Sequence, residues 1–202
     1  MVDTDIQNIW RSERLSFRTV REDDYDWFFT TQQSDPVTAF YSSPGLLSPP
    51  ARTTPAEFLK KMASPASLLS CVAKNTATSE PETRIGFVSL LYGGYGRDPR
   101  NGAAQFGITL NAPYRGNGYG TEATQWVLNW GFRYANLHSV SLGSAEYNKR
   151  AHRCYEKCGF KFMGRTRHCQ WFDGRYWDLF HFDILYDEWK EGKTYVRFDV
   201  HE

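Results

Sequence analysis

The residues from Gly107 to Thr121 carry the densest chemical signal in this chain. They read Gly-Ile-Thr-Leu-Asn-Ala-Pro-Tyr-Arg-Gly-Asn-Gly-Tyr-Gly-Thr: a strand, a short basic glycine-rich turn, and the start of a helix. Such a turn aims several backbone N–H groups at one point, which lies at the positive end of a helix dipole. Glycines at the alternate positions 116, 118 and 120 let a ligand touch the backbone directly. A diphosphate suits such a place. Two familiar phosphate loops do not fit. A phosphoryl-transfer loop ends in Gly-Lys-Ser/Thr, because the lysine reaches the terminal phosphates and the hydroxyl holds magnesium. Here Gly120 is followed by Thr121 and Glu122. A dinucleotide loop is spaced Gly-x-Gly-x-x-Gly and has an acid about twenty residues later. Here the spacing is Gly-x-Gly-x-Gly, and position 140 is Val. A third pattern, Arg/Gln-x-x-Gly-x-Gly/Ala, fits Arg115 to Gly120 in full.

A second constellation runs Glu146-Tyr147-Asn148-Lys149-Arg150-Ala151-His152-Arg153-Cys154-Tyr155-Glu156-Lys157-Cys158-Gly159-Phe160. Asn148 reads as a helix cap and Gly159 as the left-handed residue that stops the helix. Phe160 is then expected to fold back near Cys154 and Tyr155, fixing the Tyr155 ring. A phenol, with an ordinary pKa of about 10, can give a proton to a departing thiolate. The Asn148 amide can both donate and accept. The plainer alternative makes Asn148 a cap only and Tyr155 a core residue only.

These side chains need a frame. Alternation of apolar and polar residues predicts strands at Leu15–Val20, Leu68–Lys74, Ile85–Tyr92, Ala104–Leu110, Ser139–Ser144, Lys161–Phe172 and Arg175–Leu185. Asp173-Gly174 joins the last two as a tight hairpin. Helices are expected at Glu22–Thr31, from Thr54-Pro55-Ala56-Glu57 onward, after the glycine turn, and from Asn148 to Cys158. The helix after the turn carries a stripe of Tyr119, Ala123, Trp126, Val127, Trp130 and Tyr134. Residues 34–55 hold five prolines and read as a long structureless run. Polar loops are expected at 75–83 and 93–102. The order gives a mixed α/β sheet with helices packed on it.

The 202 residues are expected to form one domain. Lys and Arg number 24 against 23 Asp and Glu, with no long basic run, which argues against nucleic-acid binding. Met1 to Trp10 do not form a signal peptide, and no apolar stretch is long enough to cross a bilayer, so a cytoplasmic protein without membrane partners is expected. Four cysteines (71, 154, 158 and 169) lack Cys-x-x-Cys spacing and are read as buried free thiols, with no metal site. Aromatic residues make up 16%, including seven Trp, enough to wall a pocket as well as fill a core.

Both constellations resemble the GNAT superfamily of N-acetyltransferases: the turn matches its acetyl-CoA loop, and Asn148, Ala151 and Tyr155 to Phe160 match its Asn-x-x-Ala/Ser and Tyr-Glu-Lys-x-Gly-Phe elements. Gly164-Arg165-Thr166-Arg167, Asp173-Gly174-Arg175-x-x-Asp178, Ile184-Leu185 and Glu188-Trp189 are similar to the RimJ/RimL branch. The resemblance implies one acetyltransferase domain over 1–202, with a core of about 13–189. Its mostly antiparallel sheet would splay into a V between 104–110 and 139–144, with helices on its flanks. It implies direct transfer from acetyl-CoA to an amine. Ile108, Thr109 and Leu110 would line the pantetheine arm, with an N–H near Leu110 as oxyanion donor. Arg115, Gly116, Asn117, Gly118, Tyr119, Gly120 and Thr121 would cradle the diphosphate. Tyr155 would protonate the sulfur, and Asn148 would position the cofactor or Tyr155. Many relatives carry a Glu where Gln105 stands here, and Gln is no base; Glu146, His168, Asp178 or a water chain to solvent could substitute, and Glu146 is the one named. Trp27, Tyr41, Tyr92 and Trp171 are candidates for the acceptor side. Relatives acetylate small amines and protein N-termini and are often dimers. A small-molecule amine, a peptide N-terminus, a homodimer and a non-catalytic CoA-binding module therefore stay open.

Overall fold

Every segment with a two-residue apolar period lies in one sheet. The computed structural model describes residues 9–42, 47–64, 67–75, 83–93 and 98–192. Its strands are β1 (Leu15–Thr19), β2 (Ser67–Asn75), β3 (Arg84–Tyr92), β4 (Ala103–Leu110), β5 (Ser139–Ala145), β6 (Lys161–Phe172) and β7 (Arg175–Leu185). They lie in the order β1-β2-β3-β4-β5-β7-β6. Neighbours run antiparallel except β4 and β5, which are parallel. Most of the expected 75–83 hairpin loop, and residues 94–97 with Tyr95, lie outside the described residues.

That parallel pair builds the cleft. β4 and β5 are in register only at Ala103–Gln105 and Ser139–Ser141. β4 then stays with β3 as far as Gly86 opposite Leu110, while β5 stays with β7 as far as Ala145 opposite Leu179. The two strands diverge beyond Gln105 and leave the expected V. Asn111 N–H donates to the Ile85 carbonyl at 2.9 Å. Antiparallel pairing alternates, so Thr109 also turns its backbone to β3. The backbone groups of Ile108 and Leu110 therefore point into the V.

The helices are α1 (Tyr25–Phe28), α2 (Pro36–Ser42), α3 (Pro55–Met62), α4 (Tyr119–Arg133), α5 (Lys149–Lys157) and α6 (Tyr186–Glu191). α4 lies on the sheet and stacks Trp126 on Phe17, ring centres 3.7 Å apart. Its buried face is Ala123, Thr124, Trp126, Val127, Leu128, Gly131 and Phe132, whereas Tyr134, expected on the stripe, is exposed. Leu15, Ile85, Val88, Leu90, Val127, Leu142 and Ile184 fill the core against it. Among the described residues no helix is long and apolar enough to cross a membrane.

Two sequence expectations need correction. The segment 22–31 is no single helix: a 3-10 turn over Glu22–Asp24 precedes α1, and a wider turn over Phe29–Gln33 follows it. Thr30 and Thr31 hydroxyls take the carbonyls of Asp26 and Trp27 at 2.8 and 2.7 Å, drawing them out of the regular ladder. Residues 34–55 are not structureless, because α2 lies among them. Asp35 caps it by accepting from Thr38 N–H at 3.0 Å, and Pro36 occupies the first helical position, where a missing N–H does no harm.

A buried charge holds this end together. Asp24 is fully buried and accepts from Arg18 Nη1 and Nη2 at 2.7 and 2.8 Å and from Arg21 N–H at 2.7 Å. Arg84 Nε of β3 stands 2.8 Å from its Oδ1. Asp24→Ala is expected to cost about 3–5 kcal/mol in urea unfolding, because mostly buried guanidinium is left uncompensated. Burial by itself raises the Asp24 pKa, but the Arg18 and Arg21 hydrogen bonds and both arginine charges outweigh it and hold the carboxyl below its ordinary range. Its contribution is therefore complete above the unfolded carboxyl value of about 3.9 and fades as pH falls through the lower folded value. D24A should accordingly lose less stability than the wild type on acidification below pH ~4.

Candidate active site

The glycine turn stands at the open end of the V. Gly116 and Gly118 have φ of +84° and +82°, a region closed to most side chains. Gly118 is the left-handed N-cap of α4 and brings no side chain to its first N–H groups. A Cβ on Gly116 would meet nothing within 4 Å, so the space over the turn is open. Exposed amides with open space before them fit the diphosphate of CoA.

Two arginines brace this turn. Arg115 Nε donates to the Leu110 carbonyl at 2.7 Å, and Nη2 donates to Thr38 Oγ1 of α2 at 2.5 Å. The Leu110 carbonyl expected to line the cleft is thus taken by Arg115, and Leu110 N–H is the backbone donor that faces the V. Burial, then the charge of Arg150, lowers the Arg115 pKa. Arg14 was not singled out from sequence. Its Nη1 donates to Asn117 O at 3.0 Å, its Nε pairs with Glu122 at 2.8 Å, and its guanidinium covers the Tyr119 ring at 4.6 Å. Its turn partners lie more than a hundred residues away, beyond the reach of any local pattern.

The second constellation folds as its sequence predicts. Asn148 Oδ1 accepts from Ala151 N–H at 3.3 Å, so its cap role is realised. Gly159 has φ of +91°; Gly159 N–H donates to Glu156 O and Phe160 N–H to Tyr155 O, both at 3.0 Å. This double closure lays Phe160 against Tyr155, ring centres 5.9 Å apart and nearly edge to face, with Phe182 at 6.1 Å on the same ring. Tyr155 is buried, which serves both a core reading and a positioned phenol. Glu146 Oε2 accepts from Asp178 N–H at 3.2 Å, fastening the end of β5 to β7.

The cysteines differ from the uniform buried-thiol expectation. Cys158 is buried, Cys154 is half-buried and Cys169 is exposed on the edge strand β6. Cys154 Sγ lies 3.5 Å from Thr121 Oγ1, beside the start of α4. Hydrogen bonding from Cys158, then from the Thr121 and Thr124 hydroxyls, holds its pKa down to about 6 against the effect of burial. The same contact pushes Cys158 up.

The four acceptor candidates are not brought together. Trp27 packs beside the small cluster of Val20, Tyr25 and Phe58. Tyr92 lies opposite Ala104, at the vertex end of β4 and far from the turn. Trp171 is 57% exposed and touches Tyr176 on the outer face of the β6–β7 hairpin. Only Tyr41 stands near the mouth of the V. There α2 bridges the two arms: Ser42 Oγ meets Thr109 Oγ1 at 3.2 Å, Thr38 meets Arg115, and Phe40 stacks on Tyr147 at 4.2 Å. Phe172 lies 4.2 Å from Phe40, and Trp177 lies 5.1 Å from Tyr147, ring centre to ring centre. Phe40 belongs to a segment expected on the acceptor side from sequence, whereas Tyr147, Phe172 and Trp177 were not assigned to this wall.

A parallel pair splayed at a glycine turn, with an Asn-capped helix beside it, defines an acyl-CoA N-acyltransferase fold. The sequence model of the acetyltransferase (GNAT) domain matches residues 14–161, and the chain belongs to that family. The chain is 31% identical over 85 residues to an uncharacterized N-acetyltransferase, YnaD, of Bacillus subtilis (strain 168), covering 42% of this chain and 50% of that protein. It is 32% identical over 73 residues to the spermidine N(1)-acetyltransferase of Escherichia coli (strain K12), covering 36% and 39%. The matched stretches thus span half or less of these curated relatives. The crystal structure of spermidine N-acetyltransferase from Vibrio cholerae in complex with CoA and spermine shares the fold, with a TM-score of 0.74 at 22% identity over 89% of this chain and 100% of that one.

Proposed function

We propose that the protein transfers an acetyl group from acetyl-CoA to the primary amine of a small molecule within one ternary complex. The observation that carries the reading is the V between β4 and β5, which ends at open-faced amides of a glycine turn. The thioester of acetyl-CoA supplies the acetyl group. Ile108 and Leu110 present their backbone to the pantetheine arm, and Leu110 N–H is placed to polarise a carbonyl in the V. The amides from Gly116 to Thr121 hold the diphosphate, and Arg14 and Arg115 keep the turn in shape. Tyr155 hands its proton to the departing sulfur and is reprotonated from water, leaving CoA thiol and a neutral amide. Glu146 takes the proton of the attacking amine, since Gln105 has no basic form. The contacts of α2 with both arms, Ser42 to Thr109 and Phe40 to Tyr147, favour a small acceptor. The spermidine acetyltransferases among the relatives support a small amine as acceptor.

Thiol release from acetyl-CoA, measured against a panel of free amines and short peptides, tests this reading. Release with a free amine well above the hydrolysis rate is expected. Release with peptides alone would move the acceptor to protein N-termini, and no release with either would leave a CoA-binding module.

A further inference from the structure

We infer that the acceptor carries an anionic group in addition to its amine, on an apolar or aromatic body, and is not a polyamine. This rests on the acetyltransferase reading and narrows it. The aromatic wall at the mouth is flanked by guanidinium groups. Arg150 Cζ lies 5.9 Å from the Tyr41 ring centre, and Arg175 Cζ lies 3.2 Å above the Trp177 ring. Tyr41, Tyr147 and Trp177 connect the two arginines through ring contacts of 6.3 and 5.1 Å. Among the described residues no carboxylate forms an ion pair with Arg150 or Arg175. Arg115 adds a third positive charge, close enough to Arg150 that each feels the other.

The neighbouring acids are mostly committed. Asp35 accepts from the Thr38 hydroxyl and N–H, which hold its pKa low. Asp178 is buried and bound by Arg165 at 3.1 Å and by His168 N–H at 2.9 Å. Asp173 is exposed at the hairpin tip. Glu146, beside Tyr147, gives one oxygen to Asp178 N–H and is the acid placed to meet a single ammonium. A polyamine brings several positive charges and needs several unpaired carboxylates. This mouth offers the opposite balance. A guanidinium stacked on a ring still presents its N–H edge, which matches a carboxylate or phosphate.

Matched acceptors test the inference: L-tyrosine against tyramine, O-phosphoethanolamine against ethanolamine, and spermidine. The wild type should favour the acidic member of at least one pair by about tenfold or more in kcat/KM, the preferred pair naming the anion, with spermidine poorest. R150M and R175M keep the apolar stem; each should bring that ratio to within about threefold of unity while the KM for acetyl-CoA and the Tm hold. A wild-type preference for spermidine or for both uncharged partners overturns the inference. So does an unchanged ratio in both variants, or R150M raising only the KM for acetyl-CoA, which would assign Arg150 to the cofactor. Calorimetry with the same amines on the CoA-bound protein separates the two readings. No turnover with any amine removes the transferase reading, while the acid preference in binding, present or absent, still decides this one.

Discussion

Gly118→Val is expected to raise the dissociation constant for CoA by about a hundredfold or more. Three effects act together. The left-handed φ of +82° costs an L residue about 1–2 kcal/mol, and a β-branched one more. A Cβ at this position sits 3.1 Å from Arg14 Nη2, so the guanidinium that braces Asn117 must move. The isopropyl group also occupies the space into which the turn amides point. Losing two charge-assisted hydrogen bonds, at about 1.5–3 kcal/mol each, already accounts for the factor of a hundred. Gly174→Val is the control. Its φ of +76° imposes similar strain at the open tip of the β6–β7 hairpin, away from the turn. Both variants should lose a few degrees of Tm, and only G118V should lose CoA in a calorimetric titration. If G118V binds CoA within about threefold of the wild type, the diphosphate is held elsewhere.

The parts of this site that the sequence disclosed are those whose determinants are local. Gly159 and Phe160 follow Tyr155 within five positions, so the helix stop and the ring contact are both written in one short run. Strands such as β1 show because one face is buried and alternation records that directly. α2 had a readable signal, since Asp35-Pro36 is a cap followed by a first-turn proline. The other prolines of 34–55 mask that signal. The hairpin shows a subtler limit. Trp171 pairs with Tyr176, while Phe172 pairs with Arg175 and Gln170 with Trp177. The two sets face opposite sides of the sheet, and only the second meets Tyr147. Trp171 and Trp177 differ by one step of parity, and alternation alone does not say which face meets α2 and Tyr147. Arg14 and Tyr147 were illegible for another reason: their key partners, Asn117 and Phe40, are distant in sequence and adjacent only once the sheet has formed.

Tyr155→Phe is expected to lower kcat about a hundredfold with the KM for acetyl-CoA changed less than about threefold. The substitution removes one oxygen and leaves the ring, so the contacts with Phe160 and Phe182 and the closure of α5 persist. General acid catalysis contributes about 10²–10⁴-fold. The lower end is expected here, because a thiolate with an ordinary pKa of about 8.5 departs more readily than an alkoxide and needs less help. A ring that served the core alone gives a different pattern: turnover stays within about twofold of the wild type. A hydroxyl that anchored the cofactor would raise the KM for acetyl-CoA in step with the fall in kcat/KM, leaving kcat nearly intact. The split between kcat and KM therefore distinguishes proton donor, anchor and filler in one experiment, with an unchanged Tm as the check that the fold has held. Should kcat of Y155F equal that of the wild type, the proton for the leaving sulfur comes from another group, and the Tyr155 ring serves its packing against Phe160 and Phe182 only.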